Sequence, residues 1–286
     1  MNSYLDLATL KGPGGLNTTK TDDDTRLRSL LEGVSAEFGR YTGRHFNSVT
    51  DTKYLSAVAH IPQRMSLPDD LIAVTTFKDD ENRDGTWENT WAATDYVLWP
   101  YDADPTGELT IAAPYLAIEV DQRSSGNLES FLVGQQMYEL AGRWGYSEKT
   151  DTASESKSST VVTATKTTIK LTAHTDVQIG HTIKMGNEQM YVKGSSSSGI
   201  VTVDRAVNGT SGSSHAGSTE IEIYRYPGAI SEAVLMQASR LWERRTSGFA
   251  NQVGFTETGQ MTPVTGLDRD VKDMLATYRK AGLGIL

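Results

Sequence analysis

With 286 residues, the chain is long enough for one large domain or two modest ones, and 37% hydrophobic residues with a mean hydropathy of −0.41 allow a core under much polar surface. The absence of cysteine excludes disulfides, thiolate metal sites and thiol catalysis. A balance of 27 basic against 36 acidic residues, net charge −9, argues against a protein that grips nucleic acid by neutralising its phosphates.

In chain order, SYLDLATLK with Ser3 as its cap suggests a short first helix, and GPGG (12–15) forces a turn after it. The next helix is clear. In DDDTRLRSLLEGVSAEFGRYTG, Leu27, Leu30, Leu31, Val34, Phe38 and Tyr41 make one continuous stripe, Asp22 to Asp24 cap its start and Gly43 ends it. From about 47 to 146 the signals turn to β: DLIAVTTFKD and TDYVLWP carry β-branched and aromatic residues between Asp, Gly and Pro. QQMYELAGRWGY reads as strand rather than helix because Gly134, Gly142 and Gly145 weaken a helix. The longest apolar run, AAPYLAIEV (112–120), is too short to cross a bilayer. No charged start leads into an apolar stretch, so the expectation is a soluble intracellular protein without secretion.

SEKTDTASESKSST is polar and predicts a linker. Beyond it TTIKLT, HTIKMGNEQMYVKG and GIVTVDRAV predict short strands of a small all-β module ending near Tyr226. Two helices follow. YPGAISEAVLMQASRLWERR opens on Pro227 and carries the stripe Ile230, Val234, Ala238, Leu241 and Trp242. LDRDVKDMLATYRKAG starts on Asp268, buries Val271, Met274, Leu275 and Tyr278, and stops at Gly282, with Arg279 and Lys280 in its last turn. These elements predict an α+β fold. It comprises a helical body (the N-terminal helix plus two C-terminal helices), a β-rich middle and the inserted module.

A search for chemistry finds no phosphate loop, dinucleotide fingerprint or nucleophile elbow. His45, His60, His174, His181 and His215 are scattered, and no HExxH occurs. In DDENRDG, Asp80, Asn82, Asp84 and Gly85 match the front half of a calcium loop, but the twelfth position is Trp91 instead of a bidentate Glu. The reading is a solvated hairpin tip, as for the acidic turn DADPTGE (102–108). The stretch VDRAVNGTSGSSHAGSTEIEI (203–223) packs glycines, serines and His215 into a loop that could cradle a phosphate, yet no helix follows to hold one. Gly209 to Gly217 therefore reads as a connection between strands. The expectation is no enzyme, no metal and no cofactor.

At the C-terminal helices a pattern emerges. Ile230, Ala233, Val234, Gln237, Ala238, Arg240 and Leu241 are followed by Gly254, Phe255, Glu257 and Gly259, then by Asp268, Asp270, Val271, Tyr278 and Arg279. This order resembles the head-to-tail connector (adaptor) proteins of long-tailed bacteriophages. Tyr41 to Phe46, LPDDL (67–71), DYVLWP (95–100) and GRWGY (142–146) extend the resemblance to the N-terminal half. In those relatives the Trp-Gly-Tyr strand runs almost directly into the Pro-initiated helix, whereas here residues 147–226 intervene. The expected domains are thus an adaptor body of 1–146 and 227–286 and an inserted linker and β-module of 147–226.

The resemblance implies a virion structural protein of the neck, assembled in the host cytoplasm. It would form a homomeric ring, usually a dodecamer, that joins the portal protein to a stopper or tail-completion protein. DNA would pass through it during ejection without specific binding, and no membrane is involved. The resemblance places portal contacts at the C-terminal end, with Arg279, Lys280, Leu283, Ile285 and Leu286 as candidates. Candidates for the subunit interface are Arg240, Arg244, Arg245 and Phe255. Two other readings stay open: a carbohydrate-binding or adhesive role for 160–226, and a metal-dependent hydrolase using Asp80, Asp84, Asp102 and Asp104.

Overall fold

The computed structural model describes residues 2–108, 113–124, 129–153, 160–172, 176–196, 198–247, 252–254, 261–263 and 266–280. Contacts divide the chain into two units, Arg44–Lys149 with Asn208–Thr210, and Met1–Gly43 with Thr150–Val207 and Ser211–Leu286. Among the described residues the fold is mixed, with two antiparallel sheets of six strands each, one two-stranded pair and four α-helices.

The unit Arg44–Lys149 holds β1 (Val49–Ala57), β2 (Arg64–Asp79), β3 (Asn89–Thr90), β4 (Tyr96–Trp99), β5 (Tyr115–Val120) and β6 (Gly134–Trp144). Their order is β1-β6-β2-β5-β4, with β3 beside β2. The QQMYELAGRWGY segment is a strand as expected. Tyr138, Leu140, Gly142 and Trp144 of β6 are buried alternately, the period of two that a half-buried strand requires. Gly142 is needed because a Cβ there would lie 2.4 Å from the Ala73 carbonyl oxygen. An aromatic cluster centres the core: Phe77 stacks on Tyr138 at 5.4 Å, and Trp91 packs on Phe77 and Phe131 at 5.3 Å each. Such pairs contribute about 0.5–1.5 kcal/mol beyond the area they bury.

The other unit contains α1 (Leu7–Lys11), α2 (Asp24–Thr42), α3 (Gly228–Glu243) and α4 (Arg269–Ala276). Its sheet comprises β7 (Thr150–Thr152), β8 (Thr168–Lys170), β9 (Thr182–Met185), β10 (Glu188–Ser195), β11 (Ile200–Asp204) and β12 (Glu222–Tyr224), in the order β7-β12-β9-β10-β11-β8. All six strands fall within 147–226. A further pair, β13 (Gln252–Gly254) and β14 (Met261–Pro263), is antiparallel. The sheet's core is aliphatic, with Ile183, Met190, Val192, Val201 and Ile223 almost fully buried. In α2 the stripe Leu27, Leu31, Val34 and Phe38 is buried as expected, and Gly43 ends the helix in the left-handed conformation. Leu30 and Tyr41 are only half-buried.

Several expectations are corrected. The helices and the second sheet form one unit, so 1–146 and 227–286 do not group as a body apart from 147–226. The reason lies in specific contacts: the Tyr191 hydroxyl of β10 donates to Glu32 at 2.9 Å, Leu7 N–H donates to the Ile179 carbonyl, and the Tyr4 and Tyr226 rings meet at 4.9 Å. The polar stretch after Tyr146 is not a linker at its start, because Thr150–Thr152 is a strand that pairs with β12. The first helix is capped by Asp6, whose carboxylate accepts from Thr9 N–H at 2.8 Å, while the Ser3 hydroxyl donates to the Leu5 carbonyl instead. The last helix ends at Ala276, well before Gly282, because the chain turns there to donate Lys280 N–H to the Thr42 carbonyl at 2.7 Å. Among the described residues no helix is long and apolar enough to cross a membrane.

Candidate interaction surfaces

The loop of residues 203–223 is organised by a residue that lies outside it, Glu188 at the start of β10. Glu188 is fully buried, and both its oxygens are matched by the Arg205 guanidinium in a two-pronged pair at 2.6 Å each. Ser213 N–H donates to Glu188 Oε2 at 2.9 Å, and His215 Nε2 meets the same oxygen at 2.8 Å. The remaining Arg205 donors reach the carbonyls of Thr163, Lys166 and Ser213. Burial alone raises the Glu188 pKa, but the bonds from Arg205, Ser213 and His215, with the Arg205 charge, outweigh it and hold the group at about 2.

Ser213, His215 and Glu188 do not make a nucleophilic triad. Such a triad needs the serine on one imidazole nitrogen and the acid on the other, whereas the Ser213 hydroxyl and Glu188 both approach His215 Nε2, at 3.3 and 2.8 Å. The loop is thus a strand connection between β11 and β12, stapled by a buried charge pair. Within the strand-rich unit, Asn208 accepts from Thr50 N–H at 2.8 Å, and Gly209 adopts φ +76° where a Cβ would sit 2.0 Å from the Thr50 oxygen.

At the acidic hairpin tip, ligand oxygens of Asp80, Asp84 and Glu88 lie within 4.8 Å of one another. Each already accepts internal donors: Asp80 from the N–H groups of Asp84 and Gly85, Asp84 from Thr86, and Glu88 from Asn82 at 2.7 Å. The Thr86 hydroxyl, followed by its N–H, lowers the Asp84 pKa. Trp91, where a calcium loop would need its last carboxylate, is buried in the aromatic core and donates Nε1–H to Asp79 at 2.7 Å. Asp102 and Asp104 do not join this trio; Asp104 closes its own turn by accepting from Thr106 at 3.2 Å. His181 faces the α1 cap, with Nε2 3.7 Å from Asp6. Burial raises the Asp6 pKa, and His181 and Thr9 together outweigh this and lower it to about 2. His174 lies outside the described residues.

The arginines in and just after α3 face groups of the same chain. Arg240 pairs with Asp268. Arg244 is the C-cap of α3, and Arg245 lies over the Trp242 ring at 3.7 Å and donates to the Trp242 carbonyl at 3.3 Å. Arg26 approaches the same ring at 5.6 Å. The buried Gln237 side chain donates to the Gly266 carbonyl at 3.1 Å and accepts from Asp268 N–H at 3.3 Å. Gln237 and Arg240 therefore clasp the start of α4 to α3, a role that the sequence pattern does not reveal. Gln237→Ala is expected to cost about 1–3 kcal/mol by stranding two backbone groups. It should also speed amide exchange at Val271–Leu275; unchanged exchange there would contradict the clasp.

Arg279 and Lys280 lie beyond the end of α4 rather than in its last turn, and the Arg279 guanidinium sits 5.9 Å from the centroid of the Tyr41 ring. Phe255, Leu283, Ile285 and Leu286 lie outside the described residues. Comparison with protein-family models, curated proteins and solved structures finds no match for this chain.

Proposed function

We propose that the chain is a structural neck protein of a long-tailed bacteriophage. In this reading its copies form an adaptor ring that joins the portal to a stopper or tail-completion protein and extends the DNA exit channel. The observation that carries the reading is the ordered set of motifs from Tyr41 to Arg279. The clasp gives two of those motif segments a physical relation, since Gln237 and Arg240 of the first hold Gly266 and Asp268 at the head of the second.

The extra segment also fits the reading. Its entry and exit strands, β7 and β12, pair with Thr150 opposite Tyr224. A segment whose ends are adjacent can be accommodated at little cost in closure entropy. Electrostatics suits a conduit as well, because a chain of net charge −9 repeated around a ring repels the duplex and lets it slide. Light scattering on the isolated chain tests the proposal. It predicts a closed oligomer whose mass is a fixed multiple of 31.2 kDa, and a monomer at every concentration would contradict it.

Portal attachment is assigned to the C-terminal end, where AGLGIL carries three aliphatic side chains. Burying each returns roughly 1.5–3 kcal/mol, against an ordering cost of about 1–2 kcal/mol per residue. Net binding therefore depends on a preformed groove and on repetition around the ring. Deleting residues 282–286 is expected to leave the thermal unfolding of the isolated protein unchanged and to weaken its cosedimentation with portal-bearing heads. Equal cosedimentation of truncated and full chains would remove the tail from the interface.

A further inference from the structure

The strand-rich unit carries an open cleft of about 1330 Å³, lined by residues from β2, β4 and β5 and by the turns beside them. Its chemistry is specific. Arg64 of β2 stands opposite Glu119 of β5, which stands opposite Val97 of the edge strand β4, in one cross-strand row. Arg64 Nε lies 3.1 Å from Glu119 Oε1, and its guanidinium lies over the Trp99 ring at 4.0 Å. The Tyr101 hydroxyl donates to the other Glu119 oxygen. A few residues on, the Arg123 Nε and Nη2 donors engage both oxygens of Asp121 at 2.9 and 3.0 Å. Tyr96, Tyr101 and Tyr115 line the same cleft.

Two features narrow the ligand class. First, the four charged residues of the lining, Arg64, Glu119, Asp121 and Arg123, cancel as two pairs, so the cleft offers no net field to an anion or a cation. Each pair instead sets a carboxylate acceptor beside guanidinium donors. A vicinal diol can use both at once, donating from one hydroxyl and accepting at the next, and bonds to charged partners are about twice as strong as neutral ones. Second, tyrosine supplies flat apolar surface with a polar edge, which suits the C–H faces of a sugar ring. At about 1330 Å³ the cleft exceeds the roughly 300–1,000 Å³ of a pocket for one drug-sized molecule, so it has room for more than one sugar ring.

We propose that this cleft is a binding site for a neutral oligosaccharide several rings long. The proposal is independent of the neck assignment and of residues 160–226. Tyr101 and the Arg123 side chain are 69% and 83% exposed, so Tyr101→Ala and Arg123→Ala remove ligand contacts without disturbing the core. The test titrates the full chain by calorimetry with neutral hexasaccharides (gluco-, xylo-, manno- and N-acetylchito- series), an acidic uronate hexamer and an unrelated extended hexapeptide. The expected result is saturable binding of at least one neutral hexamer, weakened at least tenfold in each variant while the unfolding temperature stays the same. Three results would overturn it: no neutral hexamer binds, the variants bind as the parent does, or the uronate or the peptide binds more tightly than every neutral sugar. Preferential peptide binding would reassign the groove to strand addition along β4.

Discussion

Replacing Glu188 with alanine is expected to lower stability by about 3–5 kcal/mol, the cost of leaving a buried charge without its partner. Arg205, only 8% exposed at its side chain, would keep its carbonyl contacts but lose both carboxylate oxygens, and Ser213 N–H and His215 would lose the acceptor they share. Urea titration of the full chain measures the loss directly. A change below about 1 kcal/mol, the scale of an exposed pair, would show that the staple is not what closes the loop. The same network sets a pH dependence with a definite sign. The Glu188 pKa is lowered from the ordinary 4.5 to about 2, so its contribution is fully present above about pH 4.5 and is lost as pH falls towards 2. In Glu188→Gln that part of the acid sensitivity should disappear, so the difference in stability between parent and variant shrinks across this window.

Gly145→Ala is the second large effect expected. Gly145 sits at φ +145°, and a Cβ there would lie 2.3 Å from the Asn47 carbonyl oxygen. The clash cannot relax locally, because Gly145 N–H donates to Asp70 and Tyr146 N–H donates to His45, each at 2.8 Å. Backbone strain and overpacking each cost about 1–3 kcal/mol, so a loss of about 3 kcal/mol or more is predicted by chemical denaturation. Gly33→Ala provides the contrast. Gly33 lies inside α2 with open space around its Cα, and the substitution should stabilise by up to about 1 kcal/mol. If Gly145→Ala were as mild as Gly33→Ala, the close approach at the end of β6 would be wrong.

What could be read from the sequence follows from the range of the interactions. Periodic burial is local, so the α2 stripe and the β6 strand were legible, the latter through glycines that disfavour a helix. Caps were half-legible: Ser3 and Asp6 both suit an N-cap, and only the fold shows Asp6 bonded to Thr9. The end of α4 was not legible, because no breaker stands at Ala276 and the turn answers to Thr42, remote in sequence. Glu188 was missed for the same reason. A glutamate in GNEQMYVKG gives no sign of a partner in the loop beyond the next strand, although His215 in that loop was conspicuous. The clasp of Gln237 and Arg240 on Asp268 likewise gives structural work to residues that attracted notice as pattern or as charge.

The adaptor proposal rests on a single physical claim, that copies of this chain close into a ring around a channel. Negative-stain electron microscopy of the purified full chain at micromolar concentration tests it most directly. The account predicts uniform annular particles with a stain-filled central hole and a fixed number of subunits in end views. Compact particles of monomer size, or open filaments without closure, would contradict it.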